Sequence, residues 1–70
     1  MMVNYIARFR ATMKDGETRT FKVRGVGPGV VIYDCEVPAV VDGVRVFHNL
    51  ENRSMSPRGF FRRTGWRMAK

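Results

Sequence analysis

VNYIARFRATMKDGETRTFKVR (residues 3–24) alternates apolar and polar side chains on both sides of a short Lys-Asp-Gly turn. Val3, Tyr5, Ala7, Phe9, Ala11 and Met13 share one parity, and Asn4, Arg8, Arg10, Thr12 and Lys14 lie between them; only Ile6 breaks the rule. Beyond the turn, Phe21 and Val23 face one way and Thr18, Thr20, Lys22 and Arg24 the other. A period of two over this length predicts a hairpin of half-buried strands.

Register follows from the same pattern. A two-residue Asp15-Gly16 loop would set Phe9 opposite Lys22 and apolar against basic all along the ladder. Opposed residues share a face, so that register is rejected. A three-residue loop of Lys14, Asp15 and Gly16, with the glycine in the left-handed position, pairs Phe9 with Phe21 and Ala7 with Val23. On the other face Thr12 meets Thr18, Arg10 meets Thr20, and Arg8 meets Lys22. Like charges directly opposed are unfavourable, so an anion belongs near Arg8, Arg10, Lys22 and Arg24. If the next strand folds back beside the second, its Asp34 and Glu36 supply that anion; otherwise it comes from outside.

RGVGPG (24–29) is a turn-rich connection, and Val31, Tyr33, Cys35, Val37, Ala39 and Val41 then form one apolar parity of a long strand. Pro38, on the outer parity, calls for an edge, a bulge or a bend. Asp42-Gly43 fits a tight type I′ hairpin that sets Val41 against Val44 and Ala39 against Val46. Residues 49–59, NLENRSMSPRG, have no period and read as a loop. FFRRTGWRMAK (60–70) reads as a short closing strand, with disorder as the alternative; as a helix it would be interrupted by Gly65 and would lack an apolar stripe.

These elements predict an all-β, single-domain antiparallel barrel or rolled sheet of four to five strands spanning residues 1–70, SH3-like or OB-like in outline, with 53–70 a basic C-terminal segment. A chain of 70 residues hides only about 60% of the surface its unfolded form exposes. Cys35 is the sole cysteine and His48 the sole histidine, which excludes an internal disulfide and argues against structural zinc. Small domains otherwise rely on oligomerisation, so a homo-oligomer is one expectation. The N-terminus lacks the basic-then-apolar build of an export signal, and there is no apolar run long enough to span a membrane. The expected location is cytoplasmic, with no membrane partner.

The net charge of +7 is unevenly spread. Residues 1–52 hold seven cations against six acids; residues 53–70 hold Arg53, Arg58, Arg62, Arg63, Arg67 and Lys70 and no acid. RGVGPGV lacks the ending that makes a phosphate loop, Cys35 falls on an inward parity where it acts as a small hydrophobe, and His48 sits at a strand end as a surface residue. No enzyme, metal or cofactor is expected. The charge layout points instead to binding, along a surface formed by Arg8, Arg10, Lys22 and Arg24 of the hairpin with Arg58, Arg62, Arg63, Trp66, Arg67 and Lys70 of the tail. Arginine forks engage phosphates and aromatic rings can stack on bases, so the first expected partner is nucleic acid, DNA or RNA, contacted along its backbone with low sequence selectivity. The second is an acidic protein surface, on which the chain docks as a non-enzymatic accessory protein; as a small self-contained chain it resembles accessory proteins of viruses (phages) or mobile elements.

Overall fold

In the computed structural model, residues 4–67 are described; Val3, Met68 and Lys70 lie outside the described residues. Four strands form one antiparallel sheet in chain order: β1 (Ala7–Thr12), β2 (Thr18–Gly27), β3 (Val30–Val41) and β4 (Val44–Met55). A helix, α1 (Pro57–Thr64), follows and lies over one face.

The first hairpin has the register that parity demands: Ala7 pairs with Val23, Arg8 with Lys22, Phe9 with Phe21, Arg10 with Thr20 and Thr12 with Thr18. Its three-residue loop is closed by Met13 N–H to Glu17 O at 2.8 Å and Gly16 N–H to Met13 O at 2.9 Å. Gly16 has φ 86°, the left-handed conformation that glycine adopts at no steric cost. β3 folds back beside β2, setting Lys22 opposite Asp34 and Thr20 opposite Glu36. The tight second hairpin also forms, with Val41 opposite Val44 and Ala39 opposite Val46, and with Asp42 and Gly43 both at positive φ as a type I′ turn requires. β2 reaches along β3 only to Glu36, so Pro38 stands on an edge, where a missing N–H is tolerated.

Three expectations are corrected. The sheet is open: β1 and β4 are both edges and the body measures 43 × 33 × 16 Å, so the barrel of SH3-like or OB-like outline does not close. Residues 49–55 are not a loop but the second half of β4, which runs unbroken to Met55. The closing strand is replaced by α1, because the chain carries a complete set of helix boundaries. Ser56 caps the start, its Oγ accepting from Gly59 N–H at 3.1 Å, and Pro57 occupies the first turn, where its lacking N–H is no loss. Gly65, at φ 78°, ends the helix, its N–H donating to Phe61 O at 2.7 Å. Gly65 terminates the helix rather than interrupting it.

One ring substitutes for an apolar stripe. Phe60 is 1% exposed and meets Tyr33 at 4.9 Å, Phe21 at 5.8 Å and Phe9 at 6.0 Å between centroids. The turn at Gly65 returns Trp66 to stack on Phe9 at 5.9 Å. Ala11, Phe21, Val23, Val31, Tyr33, Cys35 and Phe60 make the core, all on the helix side of the sheet.

Candidate functional site

The face away from the helix carries the carboxylates of β3, and they meet cations of their own chain. Lys22 Nζ lies 2.9 Å from Glu36 Oε1. Asp34, fully buried despite its outward parity, is the centre of a denser arrangement. Its Oδ1 accepts from Arg24 Nε at 2.7 Å and from the Asn52 backbone N–H at 3.0 Å, and its Oδ2 accepts from the Tyr5 hydroxyl at 2.6 Å. Two ladder irregularities make this possible. Arg24 is the extra residue of β2 between Val23 and Gly25, and β4 spends two residues, Glu51 and Asn52, opposite Asp34; Asn52 takes φ 54°. The bulges aim donors at one carboxylate. The Arg24 guanidinium, with the Tyr5 hydroxyl and the Asn52 N–H, holds the Asp34 carboxyl down to about 2 although burial opposes this. The same contact pushes the Tyr5 hydroxyl up. Tyr5 therefore does not share the inward face of Ala7 and Phe9; the break at Ile6 marks where the chain crosses over.

This arrangement removes Lys22 and Arg24 from the cations open to a partner, and the anion that balances the basic face is internal. Arg8 and Arg10 remain exposed on the same face, with no ion pair among the described residues. Arg58, Arg62, Arg63 and Arg67 belong to the opposite, helix side, where all four are exposed. Hairpin and tail cations thus do not form one surface. Trp66 is half-buried, one ring face stacked on Phe9 and its ring nearly perpendicular to that of Phe60 at 5.7 Å between centroids. The exposed ring of the tail is Phe61, with the Arg67 guanidinium 5.3 Å above it. Lys70 lies outside the described residues.

On the helix side the fold brings Lys14, Arg19 and Arg53, which the expected surface omits, together with Arg62 and Arg63, which it includes. A cleft of about 250 Å³ is lined by Arg19, Arg53 and Arg63 around Phe21, Tyr33 and Phe60. A larger one of about 710 Å³ lies between the β1–β2 turn and α1, walled by Lys14, Arg19, Arg62 and Arg63 with Asp15. The two share Met13, Arg19 and Arg63, so they adjoin, and together they make a stepped groove with five cations in its walls. Arg19 is held by Glu17 at 3.0 Å; Lys14, Arg53, Arg62 and Arg63 have no ion pair among the described residues. Parity can find Arg19, since it shares the inward side of β2 with Phe21 and Val23. It cannot find Arg53, because residues 49–59 show no period.

The groove floor is closed to stacking, since Phe21, Tyr33 and Phe60 are each under a tenth exposed. Cys35, at the same floor, is buried, and that burial pushes its thiol up, away from the reactive thiolate. What the groove offers a ligand is directional positive charge: guanidinium forks suited to phosphate or carboxylate oxygens. Among the described residues, no helix is long and apolar enough to cross a membrane. Comparison with protein-family models, with curated proteins and with solved structures finds no match for this chain.

Proposed function

We propose that the protein binds nucleic acid through the phosphate backbone, without catalysis and with low sequence selectivity, along the groove between the β1–β2 turn and α1. One observation carries this reading: Lys14, Arg19, Arg53, Arg62 and Arg63 line two adjoining clefts whose lining acid is Asp15. A row of cations at successive positions matches the repeat of a polyanion better than a single anionic group. Phosphate contacts position without reading sequence, and the buried aromatic floor leaves no ring to select a base. Arg58 and Arg67, exposed on and beyond α1, extend the positive field outward.

The test is a titration of fluorescent single- and double-stranded oligonucleotides at two salt concentrations, with the intact chain and with Arg62→Glu/Arg63→Glu. Binding should weaken steeply with salt, as counterion release requires, and should collapse in the double variant. Absence of binding at low salt would remove this reading and favour the second one, docking on an acidic protein surface. That alternative is supported by Phe61, an exposed ring beneath Arg67, since aromatic and arginine side chains anchor protein interfaces.

A further inference from the structure

Beyond Glu36 the sheet narrows to two strands. From Val37 to His48, β3 and β4 pair with each other and, among the described residues, with no third strand. This arm is apolar on both sides. Val40 is 72% exposed and Phe47 65%, on the face shared with Glu36; Val44 is 61% exposed and Val41 48%, on the face shared with Cys35. A lone two-stranded ribbon is marginal in water, and clustered exposed apolar side chains mark an interface.

Charge selects the occupant. The arm holds one acid, Asp42, and one formal cation, Arg45, while the remaining five acids and twelve cations lie elsewhere in the chain. It is the neutral part of a strongly basic molecule. Nucleic acid would find almost no positive charge on it, and an anionic lipid surface would meet Asp42 at the tip. With a net charge of +7 on each chain, two copies meet with little electrostatic penalty on this neutral arm. Asp42 and Arg45 have no ion-pair partner within the described residues. In a two-fold interface a residue i that meets j is matched by j meeting i, so one acid and one cation are enough for two reciprocal pairs.

We propose that two copies of this chain associate arm on arm about a two-fold axis, covering Val40 and Phe47 and setting each Asp42 against the partner's Arg45. The dimer supplies the extra burial that a domain of this size otherwise lacks. It stands independently of the nucleic-acid reading, because the groove and the arm share no residue.

Sedimentation equilibrium of the full chain tests it, with Val40→Thr/Phe47→Thr, which keeps strand propensity, and Arg45→Glu. The wild type should be dimeric in the micromolar range, and both variants should be at least about tenfold weaker, with unchanged Trp66 fluorescence and, at dilutions where all three chains are monomeric, an unchanged unfolding midpoint. Amide hydrogen exchange on the wild type needs no variant: protection of residues 37–48 should rise with protein concentration. A wild type that stays monomeric into the millimolar range overturns the proposal, as does a dimer indifferent to both variants or an arm whose exchange ignores concentration. A monomer whose arm inserts into lipid vesicles or takes up another protein overturns it too.

Discussion

Arg24 and Asp34 meet at 2.7 Å on the sheet face opposite the helix, each beside a break in the ladder. Neither break alone would help the fold: the β2 bulge leaves a cation out of step, and the β4 bulge forces Asn52 to positive φ. Together they surround one buried carboxylate with three donors. A buried charge without partners is costly, and satisfying it from three directions offsets that cost while fixing the relative placement of Tyr5, β2, β3 and β4.

Replacing Asp34 should therefore cost more than removing a surface charge. Asp34→Asn keeps the shape but replaces one accepting oxygen with an amide donor and removes the charge that Arg24 pairs with, and a loss of about 3 kcal/mol is expected. The pH dependence has a definite direction. The folded-state value, about 2, lies below the ordinary 3.8, so folding favours the ionised form; its stabilisation is full above about pH 4 and is lost as pH falls through the folded value. Urea midpoints measured from neutral pH down to strong acid should fall more steeply in the wild type than in Asp34→Asn. Parallel curves would show that Asp34 is not the group responsible.

The two adjacent phenylalanines of α1 should behave oppositely. Phe60→Ala removes the ring around which Phe9, Phe21, Tyr33 and Trp66 gather, at about 4 kcal/mol, most of the stability expected of so small a domain. Phe61, 44% exposed, should tolerate alanine with little change in midpoint. Trp66 emission reports both, because its ring leaves Phe9 when α1 detaches. Equal effects of the two substitutions would contradict the packing.

Helix boundaries give a third expectation. Ser56→Ala removes the Oγ that accepts from Gly59 N–H, and Gly65→Ala places a Cβ at φ 78°; each should cost about 1 kcal/mol. Thermal unfolding of both variants checks this. The second should also loosen Trp66, whose backbone N–H is held by Thr64 Oγ1 at 3.1 Å, and so shift its emission toward that of exposed indole.

What is legible in this sequence, and what is not, has a physical basis. Parity recovers the register of β1 and β2 because Phe9, Phe21, Ala7 and Val23 must share one face while Thr12 and Thr18 share the other. Asp42-Gly43 is legible because positive φ at two successive positions admits few residue pairs. α1 escapes periodicity, since eight residues burying one ring provide no stripe to detect; its signature lies at the ends, in Ser56-Pro57 and Gly65. The Asp34 cluster is legible in part. Outward parity sets Asp34 and Glu36 beside the cations of β2, but the burial of Asp34 is not foreseen, because only bulges, which parity cannot count, bring Arg24 and the Asn52 N–H together onto that carboxylate. Half of the groove is hidden with them, because Arg53 acquires a face only once residues 49–55 are a strand.

The groove and the hairpin face make opposite forecasts for binding. Removing one phosphate-binding cation should flatten the dependence of log affinity on log salt by about 0.7 for a single strand and about 0.9 for a duplex. Arg53→Ala and Arg63→Ala, at two sides of the smaller cleft, should each weaken binding and show that flattening. Arg8→Ala, on the far face of the sheet, and Lys22→Ala, whose ammonium is engaged by Glu36 at 2.9 Å, should leave the slope as it is. Fluorescence anisotropy over a salt series reads all four. Were Arg8 to change the slope while Arg53 and Arg63 did not, the polyanion would lie across the hairpin instead, where Arg8 and Arg10 are exposed and the carboxylates of β3 already occupy their neighbours.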